Sequence, residues 1–267
     1  MREVRIEYLS APEVREQMFV SNLLYIPIGP LEWHGPHLPY GTDPLNAYAL
    51  ACRAAQLFGG LVHPLVYAGA EVLRQPNVVA AFGLPADIPV VGMDIPGLCL
   101  KSFYMAPEEF RTVVEITVNA ALRVGFKKIV LINGHGADEQ KRVLKELATE
   151  MGGEQAEVIY FMSFDTGDEE ALKNIGHADR IETEVTMANY PDLIHIECLP
   201  RDGGLKCKDY AIVDSETFDC NPTPDFTTRS DPRLADVVGG VQMLDRVLAR
   251  LAEVIGANMV EKGEVNG

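Results

Sequence analysis

Basic side chains are scarce in this chain: 23 lysines and arginines stand against 39 aspartates and glutamates, a formal charge of −16. Nucleic acids and anionic membrane surfaces need clustered cations, so neither is an expected partner. Long apolar runs are missing as well, none approaching the ~18 residues of a membrane span. The five cysteines (Cys52, Cys99, Cys198, Cys207 and Cys220) are odd in number and form no Cys-x-x-Cys. That argues against a disulfide framework or a thiolate zinc site and for reduced thiols. Residues 1–7 have no signal-peptide core, so the expectation is a cytoplasmic protein. What is present suffices for a sizeable core, with 47% hydrophobic residues in a chain of 267. No repeat, low-complexity run or linker divides it. Residues 1–267 are expected to form one domain.

Apolar runs and helical patterns alternate along the chain. Residues 23–28 (Leu-Leu-Tyr-Ile-Pro-Ile) are too short for a free-standing helix and read as a buried strand. Residues 61–67, 127–133 and 157–162 read as further strands. Helical patterns cover 10–18, 44–58, 108–124, 138–150, a stretch reaching about 187–190, and 237–255. Glycines close two of them, Gly59-Gly60 and Gly125. Strands alternating with helices imply parallel β-α-β units, hence an α/β fold: a three-layer α/β/α sandwich with a mostly parallel central sheet. Residues 68–107 read as loops with a few short strands that wall a site. Residues 191–233 read as an irregular lid or interface with short strands near 193–197 and 210–213. Residues 261–267 read as a frayed tail.

The stretch from Ile26 to Asp43 concentrates chemistry. Glu32, His34, His37 and Asp43 fall among glycines and prolines, just past a strand's carboxyl end, where α/β sheets place ligand sites. Glu32 and His34 are two apart, so an extended segment points both to one face, as metal ligation requires. Asp43 before Pro44 also suits a plain helix cap. Asn133-Gly134-His135-Gly136 follows another strand. It resembles the opening of a dinucleotide fingerprint, but Glu139 occupies the third glycine position and would face a pyrophosphate badly. Displaying His135 at a strand terminus fits better. His177 opens a third acid-rich stretch through Glu184.

Taken together these segments resemble the creatininase family. Residues 27–43 (PIGPLEWHGPHLPYGTD) resemble its hallmark, Asn133-Gly134-His135-Gly136 its second motif, and His177-Ala178-x-x-x-Glu182-Thr183 its third. Asp231-Pro232-Arg233-Leu234-Ala235 resembles the segment before its last helix. The four matches keep their order from residue 27 to 235. The resemblance implies two divalent metal ions per chain, with Glu32 and His34 each binding one, Asp43 bridging both, and His135 a further ligand. Creatininase itself takes a glutamate two residues after the second-motif histidine, where this chain has Ala137. Other branches use the third-motif glutamate, so Glu182 is the expected fifth ligand. Nitrogen and carboxylate donors suit Zn²⁺ first, and also Mn²⁺ or Fe²⁺.

The implied activity is hydrolysis: metal-activated water attacks the carbonyl of a small cyclic amide or related C–N bond. His177 either carries a proton to the leaving group or only orients Glu182. His37 is expected to support the loop without binding metal. The runner-up reaction is hydrolytic C–C ring opening of a diketone derived from a cyclic polyol such as inositol. A non-catalytic, metal-stabilised interaction protein is the third reading. The resemblance also implies a small-molecule substrate and a homo-oligomer, up to a hexamer, with residues 191–233 as a candidate interface. Departures from the family pattern bear on substrate. Asp179-Arg180 replaces Gly-Glu, and Gly69-Ala70-Glu71 lacks the family's Ser and nearby His. Arg180 either greets an anionic or polyhydroxy substrate or pairs with Asp179 or Glu184. Creatinine is not the expected substrate.

Overall fold

The computed structural model describes residues 2–82, 84–154, 156–169, 172, 175–201, 205, 207–208, 211–212 and 231–256. The chain enters through helix α1 (Ala11–Val20), where the Glu13 carboxylate accepts from both the N–H and the hydroxyl of Ser10, at 2.7 and 2.5 Å. Strand β1 (Leu23–Gly29) follows and is buried along its whole length. Its neighbours are β2 (Leu61–Val62) and β3 (Val66–Tyr67) on one side and β4 (Lys128–Asn133) on the other. Strand β5 (Glu157–Met162) continues the sheet beyond β4. Every one of these pairings is parallel, with Leu23 opposite Lys128 and Ile28 opposite Asn133 at the two ends of the central pair.

Burial on both sides explains why the strands read as continuous apolar runs. Leu24, Ile26, Ile28, Ile129 and Leu131 pack against helices α4 (Pro107–Val124) and α5 (Asp138–Met151) through Phe110, Val114, Val118, Val143, Leu144 and Leu147. The alternate residues Leu23, Tyr25, Val130 and Ile132 face α2 (Thr42–Phe58) and the C-terminal α7 (Val237–Ile255) through Leu50, Ala51, Ala54, Val247 and Leu251. The strand period of two thus divides one strand between two cores. Each fully buried Leu or Ile contributes roughly 1.5–3 kcal/mol. The result is the three-layer α/β/α sandwich with a parallel central sheet that the sequence implies.

Several expectations need correction. The strand expected over 61–67 is two short strands, because His63-Pro64 interrupts the ladder and proline offers no N–H. Residues 68–107 contain a short helix, α3 (Pro76–Ala81), too brief to show a helical period. The strand expected near 193–197 is instead a pair of 3₁₀ turns, Pro191–Leu193 and Ile196–Cys198. The strand expected near 210–213 is a two-residue strand, β7 (Ala211–Ile212), paired antiparallel with β6 (Cys207–Lys208). Tyr210, Val213 and the expected tail at 261–267 lie outside the described residues. Helix α6 (Arg180–Asn189) packs against α7 and completes the elements that surround the site.

Close backbone approach sets the site's position. A Cβ on Gly134 would stand 2.2 Å from the carbonyl oxygen of Asp43, and one on Gly29 would stand 2.8 Å from Pro44 N. Only glycine lets the ends of β1 and β4 touch the first turn of α2. Asp43 itself is not the cap: the helix begins at Thr42 with Gly41 at the cap position. Its carboxylate is therefore free for other partners.

Candidate metal centre

Three turns at the carboxyl ends of β1 and β4 and the start of α6 converge. The first carries Glu32 and His34, the second His135, the third His177 to Glu182; α2 supplies Asp43 from beneath. Glu32, His34, Asp43, His135 and Glu182 are all buried. Asp43 divides its two oxygens: Oδ1 lies 3.0 Å from His34 Nε2 and Oδ2 lies 2.9 Å from His135 Nδ1. Glu32 Oε2 is 3.1 Å from the same His135 nitrogen, and Glu182 Oε2 is 3.8 Å from His34 Nε2. Two groups spaced to hold a metal ion result, Glu32–Asp43–His135 and His34–Asp43–Glu182, with Asp43 in both. Glu32, His34 and His177 make a third such group among the described residues.

Each side chain is held from behind. His34 Nδ1 lies 3.1 Å from the Glu32 carbonyl oxygen, which accepts its proton. Asn133 locks the His135 backbone, accepting from His135 N–H at 3.1 Å and donating to His135 O at 2.8 Å, while Gln140 donates to the same Asn133 oxygen. Ala178 N–H donates to Glu182 Oε2 at 2.6 Å, and Asp179 caps α6 by accepting from Glu182 N–H. These outer contacts fix ring tautomer and carboxylate orientation.

The donor set fits cations. Glu32 Oε2 and His135 Nε2 are buried, yet neither meets its neighbours in hydrogen-bonding geometry. Such orphans are costly unless something else engages them. Three buried carboxylates with two imidazoles and no thiolate match zinc, manganese or iron. The electrostatics agree. Burial opposes charging of His34, but Asp43, Glu182 and Glu32 outweigh it and push its pKa up to about 10. His135 is likewise raised well above its usual value against burial, chiefly by Glu32 and Asp43. Protons on these rings stand where the carboxylates call for positive charge. Burial would raise Glu32, yet the facing His135, His177 and His34 hold it well below the usual range. Glu182 goes the other way, lifted by burial, then by Asp43 and Asp179, to about 8.

No hydrogen bond joins His177 to Glu182 among the described residues; Glu182 Oε2 accepts from Ala178 N–H instead. His177 Nε2 lies 2.5 Å from the Trp33 carbonyl, and its ring sits 4.3 Å from that of His34. A carbonyl only accepts, so Nε2 carries the proton and Nδ1 is the basic nitrogen. Burial, reinforced by His34, lowers its pKa to about 4, which leaves it neutral at pH 7. His37 lies aside, 3.1 Å from Thr183 Oγ1, joining the first turn to α6. Arg180 is 2.6 Å from Glu184 Oε1 and 3.6 Å from Asp236 Oδ2, so of its two expected roles the structure shows pairing.

Three neighbours were missed by sequence reasoning. Glu71 is buried with Oε1 3.5 Å from His135 Nε2, and Arg74 lies 3.1 Å from that same oxygen. The Tyr104 hydroxyl donates to Glu32 Oε1. All three come from residues 68–107, where the segment at Gly69-Ala70-Glu71 departs from the family pattern and no period marks the rest. The cavity above the ligands holds about 200 Å³, and its lining includes Glu71, Arg74, Met93 and His177.

Comparison with known proteins agrees with this fold. The family model for creatininase, creatinine amidohydrolase, matches residues 7–255. The chain is 23% identical over 203 residues to 3-dehydro-scyllo-inosose hydrolase of Thermotoga maritima, a match covering 73% of this chain and 58% of that protein's length. It is 26% identical over 192 residues to creatinine amidohydrolase of Pseudomonas putida, covering 66% and 67%. A crystal structure of creatinine amidohydrolase superposes with a TM-score of 0.68 at 21% identity, over 96% of this chain and 98% of that one. A solved manganese form of creatininase gives 0.67 at 21% identity, over 95% and 98%. No helix among the described residues is long and apolar enough to cross a membrane.

Proposed function

Because this chain belongs to the creatininase family, we propose that it is a metal-dependent hydrolase with a dinuclear centre that opens a small cyclic amide or related C–N bond. The carrying observation is Asp43, whose two oxygens serve His34 and His135 separately at 3.0 and 2.9 Å. Glu32, Asp43 and His135 would hold one ion and His34, Asp43 and Glu182 the other, zinc being the first choice and manganese or iron the others. Such a pair activates water near neutral pH and polarises a substrate carbonyl. His177 is neutral, lines the cavity and offers Nδ1 as proton acceptor. It can therefore take the proton of the attacking water and return it to the leaving nitrogen. Met93, from the small apolar cluster that also holds Trp33, gives the cavity an apolar wall. Stripping metal should abolish turnover and adding Zn²⁺ or Mn²⁺ should restore it; full activity in a metal-free preparation would sink the reading.

A second reading keeps the residues and changes the bond to C–C in an oxidised cyclic polyol. The relative named as an inosose hydrolase favours it. Parallel screens of lactams and formamides against oxidised inositols separate the two. The same proposal includes a homo-oligomer, supported by Phe19 and Val20 of α1, which are 94% and 76% exposed. A monomer by light scattering would overturn that part.

A further inference from the structure

Among the described residues, Arg74 is the sole lysine or arginine lining the candidate metal cavity. Histidines aside, the other charged side chains of that lining are carboxylates, and Arg74 is paired with one of them, Glu71. Its backbone and side chain are fixed. Arg74 N–H donates to Val90 O at 2.7 Å, Nε donates to Gly92 O at 2.9 Å, and Nη2 donates to Glu71 Oε1 at 3.1 Å. Glu71 Oε1 stands between Arg74 and His135 Nε2, 3.5 Å from the latter. The guanidinium is thus one carboxylate away from a metal-ligand candidate. Nη1 has no hydrogen-bond partner among the described residues, and about a quarter of the side chain, 26%, remains exposed. A rigid fork with uncommitted donors is the arrangement that recognises a planar oxyanion.

We propose that Arg74 binds an oxyanion group of the substrate, a carboxylate or a phosphate, and holds it while the scissile carbonyl lies at the metal ligands. The substrate is therefore an anionic small molecule. Arg180, the cation the sequence brought forward, does not line this cavity; it lies with Glu184 and Asp236 in a separate depression. Glu71 holds Arg74 and screens it from the ions. The assignment rests on the metal-hydrolase reading for the position of the carbonyl, but binding alone tests it.

The test compares wild type with Arg74→Gln by calorimetry on protein as purified, its metal content measured in the same samples. In the carboxylate arm the probes are succinamate and its uncharged counterpart succinamide; in the phosphate arm they are glycerol 3-phosphate and glycerol. Arg74→Gln should weaken one of the two anions about tenfold, the loss of one charge-assisted contact, and leave both neutral probes unchanged. The arm that responds identifies the oxyanion. If Arg74→Gln does not fold, Arg74→Lys keeps the charge, loses the fork and carries the same comparison. Equal anion affinity in wild type and variant overturns the proposal, as does equal weakening of charged and neutral probes. A wild type without metal overturns the hydrolase reading instead and leaves the Arg74 comparison standing.

Discussion

The Tyr104 hydroxyl donates to Glu32 Oε1 and accepts from Met93 N–H at 3.1 Å, tying the wall of the cavity to its first metal-ligand candidate. Burial, with Glu32 adding to it, holds the phenol far above its usual pKa, so it stays a donor at all working pH values. Replacing it should free Glu32 to rotate. Tyr104→Phe is expected to lower zinc affinity about 10- to 100-fold, the range for a lost outer contact. Competition against a chelating dye measures this; an unchanged affinity would show that Tyr104 only fills space.

His177→Asn addresses the proton carrier. The ring holds neither Glu182 nor Asp43, so the metal sites should fill as before. Turnover should fall about 10²- to 10⁴-fold, as for loss of a general acid–base group. Metal analysis with steady-state rates checks both halves, and a variant that loses its metal instead would make His177 a ligand.

Stability of the metal-stripped protein should depend on pH with a definite sign. His34 has a folded pKa of about 10 against 6.5 ordinarily, so its contribution is complete below 6.5 and is lost as pH rises toward 10. Glu182, at about 8 against 4.5, acts in the same direction between those values. His177, lowered to about 4, acts oppositely: its contribution is present above 6.5 and disappears as pH falls toward 4. As pH rises above 7, His34 and Glu182, with His135 raised in the same sense, all act in that one direction, so the Tm of stripped protein should drop. Metal-loaded protein should hold its Tm there, because ions replace the protons. Thermal scans in both forms decide it, a flat profile for stripped protein being the adverse result.

Gly134→Ala should be costly although no positive φ is involved. The added methyl would meet Asp43 O at 2.2 Å and Asp43 C at 2.6 Å, both backbone. Forcing α2 from the strand ends should cost about 1–3 kcal/mol or more and displace Asp43 from His135. Thermal unfolding should show the loss, together with reduced metal content. Gly136→Ala is the control, since a Cβ there meets nothing within 4 Å.

Much of the site was legible because its residues lie in short segments with their own signals. Glu32, His34 and Asp43 sit within one turn-rich stretch after an apolar strand, and His135 follows the next strand. The strands are short apolar runs bounded by turn residues, and the long helices carry a period of 3.6, signals that survive without their partners. The short helix Pro76–Ala81 and the 3₁₀ turns near Ile196 are shorter than such a period and left no trace. Asp43 shows the limit most clearly. Asp before Pro reads locally as a cap, and only contact with His135, far off in the chain, places it within the helix as a shared partner.

By itself the amino-acid sequence determined the order of the long strands and helices and which residues are candidate metal-binding donors. Those follow from local periodicity and side-chain chemistry, which need no knowledge of distant neighbours. Only the tertiary structure decided that Asp43 serves two histidines, that Arg180 also meets Asp236, that Glu71 and Arg74 line the cavity, and that Tyr104 reaches Glu32. Those relationships depend on packing between segments tens of residues apart, where parallel strands bring their carboxyl ends together. The sharing of Asp43 and the placement of Arg74 arise there, from backbone contacts as close as that of Gly134 with Asp43.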